Sequence, residues 1–224
     1  MSDRQVEGPY LGARLSRRHF LTSAAASVGG ILVPLEAFAE PDPIRSLSGK
    51  VTLNGSDAAA KSRIAPGDRI VTGEGGNVVF AVGKDAFMVR PHSEFVIEKA
   101  QGSYGFLRLV TGALGAVFGK GGRRTIIAAN VTAGIRGTGV FLEARSEGTY
   151  FCTCWGDVEL TSTSDAMDRQ VVASSRHVAR FIANSAKDGT RFTEARFESH
   201  TDEEMDNLEK AVGRRSPILV PRGG

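Results

Sequence analysis

The sequence predicts an all-β protein in which short strands stack in a solenoid-like or sandwich arrangement and a single α-helix ends the chain. From residue 48 to residue 182, segments of about four to seven residues alternate apolar and polar side chains and end at Gly, Asn, Asp or Pro. Glycine occurs 27 times in 224 residues, which suits tight turns. No helical period separates the segments, so crossover helices between parallel strands are not expected.

The chain divides into four parts in this interpretation. Residues 1–39 form an export signal, 40–47 a linker, 48–185 the β domain and 186–224 a C-terminal extension.

The N-terminal part has the layout of a twin-arginine export signal. Arg17 and Arg18 precede His-Phe-Leu-Thr, a mildly apolar run follows over 21–35, and Ala37-Phe38-Ala39 forms a cleavage triplet. The run is too short and too rich in Ala, Ser and Gly to span a bilayer. We therefore expect export of the folded chain to the periplasm and no membrane span in the mature protein. A signal left uncut would act as an anchor.

The strands of the β domain follow one another at a spacing of roughly 8 to 12 residues. They are predicted near residues 50–54, 69–71, 77–82, 86–90, 94–98, 106–110, 113–118, 125–128, 139–144, 149–154, 157–161, 170–173 and 177–182.

The C-terminal extension predicts a helix near 201–213. Thr201 is a suitable N-cap, acidic residues occupy 202–204, and Gly213 follows the last apolar positions as a stop.

Charge and motif content argue against nucleic-acid binding and against catalysis. The formal net charge is only +3, and no basic stripe is present. The chain has no Gly-x-Ser-x-Gly elbow, and Asp68, Glu94, Glu98 and Asp157 are scattered without a pairing that would support acid–base chemistry. The loop 119–124 is basic, and we expect it to be solvated or to meet lipid headgroups or an acidic partner.

The glycine-rich segment Gly134-Ile135-Arg136-Gly137-Thr138 predicts a structural corner between strands rather than a phosphate loop. Its glycines supply backbone positions with positive φ. Arg136 is expected to satisfy several buried carbonyls with its five donors.

The residues with distinctive chemistry are Cys152, Cys154, His177 and His200. In a strand, residues i and i+2 point to one face about 6.5–7 Å apart, which suits two thiolates that share a metal better than it suits a disulfide. With His177 on a neighbouring strand and His200 before the terminal helix, a tetrahedral site for zinc, copper or iron results. Two other interpretations stay open, namely a redox-active or strained disulfide and inert packing in the core.

Four further motifs follow one another along the β domain: Gly67-Asp68-Arg69-Ile70-Val71-Thr72-Gly73, Pro91-His92-Ser93, Leu107-Arg108-Leu109-Val110-Thr111-Gly112, and Gly134-Ile135-Arg136-Gly137-Thr138. In this order they resemble the FecR-type periplasmic domain over roughly residues 49–161. The segment Tyr150-Phe151-Cys152-Thr153-Cys154-Trp155-Gly156, with a downstream His and His-Thr-Asp-x-Glu, is similar to a subgroup of that family.

The resemblance implies a non-enzymatic β-rich module that contacts a periplasmic or envelope protein in envelope signalling. The family's signal relays carry a cytoplasmic anti-sigma segment and a membrane span. This sequence has only a short segment before Arg17, so direct binding to a sigma factor is not expected. The alternative is a metal- or redox-linked periplasmic protein that works through the Cys and His residues.

Overall fold

The computed structural model describes residues 43–100 and 103–219. The predicted export signal with Arg17 and Arg18 lies outside the described residues, as do residues 40–42 of the linker. Within these ranges the chain forms fourteen strands and one helix, which confirms the all-β fold with a single C-terminal helix.

The strands and the helix have the following bounds: β1 Ser46–Ser48, β2 Val51–Leu53, β3 Ser56–Asp57, β4 Arg69–Thr72, β5 Asn77–Val82, β6 Asp85–Val89, β7 Glu94–Ala100, β8 Ser103–Val117, β9 Arg124–Ile127, β10 Val131–Arg145, β11 Gly148–Ser162, β12 Arg169–Ser174, β13 Val178–Lys187, β14 Thr190–Ala195 and α1 Asp202–Ala211.

The strands belong to one continuous, mainly antiparallel sheet. Its main path runs β14-β13-β11-β10-β9-β8-β7-β4-β2-β3, and β1, β5, β6 and β12 join from the side. The only parallel pairing among the described strands is between β8 and β9.

Three strands are far longer than the sequence predicts, because glycines expected to end a strand lie inside it. β8, β10 and β11 each have 15 residues and contain Gly112, Gly137 and Gly156 at positive φ. The register shifts at or beside each of these glycines, as in a β-bulge. A bulge absorbs one left-handed residue and bends the strand without ending it, so each half pairs with different neighbours.

The expected corner at Gly134, Arg136, Gly137 and Thr138 is therefore a bulge within β10 and not a turn between strands. The left-handed backbone at Gly137 is confirmed, with φ of +63°. Thr138 is buried, and its hydroxyl donates to the Asp157 carbonyl at 3.3 Å. Arg136 is exposed, so the expectation that its guanidinium satisfies buried carbonyls is wrong. Its neighbour Ile135 takes the buried face instead, as strand alternation requires.

The two faces of the sheet bury two separate apolar clusters. One face buries a large apolar core that includes Phe80, Phe87 and Phe95. The other face packs beneath α1, where Met205 and Leu208 contact a second cluster. Side chains alternate between the two clusters along β10 and β11, so Phe151 enters the first while Cys152 and Cys154 enter the second.

The helix begins as the sequence predicts. Thr201 is the N-cap, its hydroxyl accepts from the Glu204 amide, and the Glu204 side chain accepts from the Thr201 amide in a capping box. The first turn carries Asp202, Glu203 and Glu204, which suits the positive end of the helix dipole.

The strand series extends further in both directions than predicted. β1 begins inside the expected linker, where Ile44 is already buried, and β14 pairs with β13 inside the expected C-terminal extension. Among the described residues, no helix has the length and apolar character needed to cross a membrane.

Candidate metal centre

Four predicted ligands meet beneath the start of α1. One ligand atom from each of Cys152, Cys154, His177 and His200 lies within 4.8 Å of all the others. The structure therefore brings together the complete Cys and His set, and this group could hold a metal ion.

The two cysteines are positioned by β11. They are free thiols with no measurable exposure, and they share the sheet face that is covered by α1. Cys152 pairs with Ala179 in the ladder with β13, which ends at Thr153, and Cys154 is the next residue along β11. Strand alternation alone thus turns both sulfurs in one direction.

His177 is held beside the cysteines by its own backbone. It lies just before β13 with φ of +45°, and its amide donates to the Cys154 carbonyl at 2.9 Å. Its Nδ1 lies 3.7 Å from the Cys152 sulfur, while Nε2 lies 2.5 Å from Asp202 Oδ1. The side chain is 6% exposed.

His200 enters from the segment that leads into α1. Its Nε2 lies 3.3 Å from the Cys154 sulfur, and its Nδ1 lies 2.9 Å from the Glu198 carbonyl. The imidazole stacks on Phe141 with ring centroids 4.4 Å apart and an angle of 12° between the planes. Its orientation is fixed from two sides before any metal binds.

The partners of the remote imidazole nitrogens select the tautomers that a metal requires. The Asp202 carboxylate and the Glu198 carbonyl both accept hydrogen bonds, so protons belong on His177 Nε2 and His200 Nδ1 in the neutral rings. The other nitrogen of each ring then points its lone pair at the sulfurs. Such outer partners are typical of histidine ligands in metalloproteins.

The spacing suits a single tetrahedral ion. With metal–sulfur bonds of about 2.3 Å and metal–nitrogen bonds of about 2.0–2.1 Å, a tetrahedron places S and N about 3.6 Å apart. The observed S···N distances of 3.7 and 3.3 Å lie on either side of this value. Only small movements are needed to close the coordination sphere.

The two thiols differ in their acidity. The hydrogen bond with Cys154, helped by His177 and His200, lowers the pKa of Cys152 to about 4 despite its burial. Burial raises the pKa of Cys154 well above its ordinary value, and the neighbouring Cys152 adds to this effect. Burial lowers the pKa of His177, but Cys152 and Asp202 outweigh it and leave the pKa raised. The metal-free site therefore favours one thiolate and one thiol, with His177 protonated at pH values below its raised pKa.

Sequence reasoning missed the residues that support the ligands. The sequence predicts Asp202 as an acidic residue of the first helical turn and as part of the His-Thr-Asp-x-Glu motif, but not as a hydrogen-bond partner of His177. Phe197, whose ring centroid lies 4.0 Å from that of His177 and 4.8 Å from that of His200, gave no sequence signal.

No protein-family model matches this chain, and no curated protein matches it. The resemblance to FecR-type domains therefore remains a prediction.

Proposed function

We propose that this protein is a non-enzymatic metal-binding β protein whose Cys and His residues hold a zinc ion as a structural centre. The observation that carries the proposal is the convergence of four ligand atoms within 4.8 Å, from three buried residues and the partly buried His177, with both remote imidazole nitrogens already hydrogen-bonded.

The chemistry of the site favours zinc over the other metals considered. Two thiolates and two imidazoles in a tetrahedron form a typical structural zinc set, and four protein ligands leave no position for water or substrate. Zinc has no redox chemistry and no geometric preference of its own that would oppose a tetrahedron, so it suits a largely buried structural site. Copper and iron also accept such ligands and are the alternatives that the test distinguishes.

The metal would join three separate parts of the chain. Cys152 and Cys154 lie in β11, His177 precedes β13, and His200 precedes α1. A bound ion would therefore fasten the C-terminal helix to the sheet. A structural zinc site has four protein ligands, whereas a catalytic site has three and leaves the fourth position open. The four candidate ligands here therefore fit the structural role.

The test is metal analysis of the purified chain combined with cobalt substitution. We expect one zinc ion per chain, and we expect Co²⁺ to give the spectrum of a tetrahedral site with thiolate ligands. His177→Asn should abolish binding. The matched control is His92→Asn, because His92 also has positive φ, at 56°, but lies outside the site and Asn tolerates that backbone. Equal metal content in the two variants would contradict the proposal, and iron or copper in the native chain would replace zinc.

We also propose export to the periplasm by the twin-arginine route, supported by the Arg17-Arg18 motif. Export of a folded chain would let the thiols bind metal before they meet an oxidising compartment. Arg17→Lys with Arg18→Lys should leave the precursor in the cytoplasm, as cell fractionation would show. Normal periplasmic levels of this variant would contradict the proposal.

A second candidate function is the envelope-signalling module that the FecR resemblance implies. The observation that favours protein contact is the pair Phe106 and Val110 on β8, which are 49% and 40% exposed. In-cell cross-linking to an envelope protein should be lost in Phe106→Ser with Val110→Ser. It should persist in Met167→Ser with Val171→Ser, which alters a second exposed apolar pair. Identical cross-linking in both variants would exclude this surface.

A further inference from the structure

A cationic cavity lies near the C-terminal end of α1, at the opposite end of the helix from the metal centre. Its volume is about 410 Å³, within the range of small-molecule sites. Four basic side chains line it: Lys84, Lys120, Arg214 and Arg215.

The positive charge of this cavity is incompletely neutralised. Among the described residues, Glu209 is the only acidic one that lines the cavity, and its carboxylate is already paired with Arg214. In the part of the chain that the structure describes, no carboxylate lies within ion-pair distance of Lys84 or Lys120. An anion in the cavity would meet positive charge from several sides.

Arg214 also has spare hydrogen-bonding capacity. Its Nε donates to Glu209, and its Nη1 donates to the Lys84 carbonyl at 2.5 Å. Its Nη2 is shielded from solvent and has no hydrogen-bond partner. A shielded guanidinium nitrogen without an acceptor is costly, and a small shift of the Arg214 side chain would let a ligand oxygen in the cavity satisfy it.

The basic loop 119–124 is held in place rather than left loose. Both ends of the loop bind the buried carboxylate of Asp85, since the Gly119 amide donates to Oδ1 and the Arg124 Nε donates to Oδ2, each at 2.8 Å. Gly119 is required there, because a side chain would collide with Lys84. These contacts hold the backbone of Lys120 beside the cavity.

The remaining wall is apolar and includes Phe118 and Trp155. Trp155 is 6% exposed, and its indole covers Gly139, where a Cβ atom would overlap the ring. A ligand with an apolar body next to its anionic group would match this wall.

We propose that this cavity binds the phosphate group of a phosphomonoester or a lipid headgroup. Lys84 and Lys120 supply point charges, and Arg214 supplies an N–H donor, as is usual for phosphate recognition. The apolar body of the ligand lies along Trp155. The site is independent of the metal centre and does not rest on its function.

The chain offers a direct reporter, because Trp155 is its only tryptophan. The purified full chain at fixed zinc concentration is titrated with phenyl phosphate, benzoate and phenol while tryptophan fluorescence is followed. Phenyl phosphate should bind most tightly, benzoate more weakly, and phenol least. Lys84→Gln with Lys120→Gln should weaken phenyl phosphate binding by about tenfold or more.

The matched control is Lys50→Gln with Lys61→Gln, which removes the same charge from two exposed lysines outside the cavity. Equal affinity in the two double variants, or phenol binding as tight as that of phenyl phosphate, would overturn the proposal.

Vesicle sedimentation distinguishes the two sources of phosphate. Binding to phosphatidylglycerol vesicles but not to phosphatidylcholine vesicles, lost in the Lys84/Lys120 variant, would identify a lipid headgroup. No vesicle binding together with retained phenyl phosphate binding would identify a soluble phosphomonoester. The absence of both kinds of binding would overturn the proposal.

Discussion

His177 and Asp202 are joined by a hydrogen bond of 2.5 Å between Nε2 and Oδ1, which links a ligand of the metal centre to the first turn of α1. The same carboxylate also pairs with Arg176. Asp202 therefore has two roles, since it favours the helix N-terminus and fixes the imidazole of a ligand that lies 25 residues earlier in the chain.

Asp202→Ala should weaken zinc binding by about 10- to 100-fold, because the imidazole of His177 loses the acceptor that fixes its tautomer and orientation. Competition with a chromophoric chelator would measure the affinity. Glu203→Ala is the matched control, since it removes an exposed charge from the same helical turn. Equal losses in both variants would assign the effect to the helix dipole instead of the ligand.

Zinc binding should release more protons below the pKa of His177 than above it, because below it both the Cys154 thiol and protonated His177 must lose a proton. The raised pKa of both groups widens the pH range in which the metal-free chain keeps these protons. Because the metal displaces these protons, affinity should rise with pH. Above the raised pKa of His177 the release should fall to about one proton, from Cys154. Calorimetry in buffers of different ionisation enthalpy measures this number, and a release that does not change with pH would contradict the assignment.

Removal of the metal should loosen the C-terminal helix while the main core stays folded. The large apolar cluster on the other face of the sheet has no ligand among its members. Hydrogen exchange should therefore show loss of protection first in α1 and in the segment before β13. Added zinc at a thousand times its dissociation constant should stabilise the chain by about 4 kcal/mol. Uniform loss of protection would show instead that the whole fold depends on the metal.

Gly137→Val should lower the free energy of unfolding by about 1–3 kcal/mol, because a β-branched residue is strained at positive φ. Space is not the cause, since a Cβ at Gly137 would lie no closer than 3.6 Å to Lys120. Urea denaturation measures the change. Gly137→Asn should cost less, because Asn tolerates this backbone; equal losses in the two variants would show that φ is not responsible.

Local physics made part of this structure predictable. Thr201, the acidic residues after it and Gly213 are enough to define a helix, because capping and dipole effects act within one turn. The period of two in a strand likewise places Cys152 and Cys154 on one face without knowledge of any partner strand.

The glycines show where sequence reasoning fails. Gly112, Gly137 and Gly156 do adopt positive φ, yet each lies inside a strand. A turn and a bulge require the same backbone at that one residue. Only the pairing of the flanking segments with other strands distinguishes the two, and that pairing is a tertiary property.

Local sequence patterns are enough to predict the strand alternation, the terminal helix and the four candidate ligands. Long-range packing sets the contacts of these and other residues: His177 and His200 approach the same two sulfurs, Asp202 supports His177, and Lys84 and Lys120 share a cavity with Arg214. The physical reason is range. Alternation and capping are set by atoms a few residues apart. The contacts between distant residues depend on the packing that brings their segments together in the folded chain.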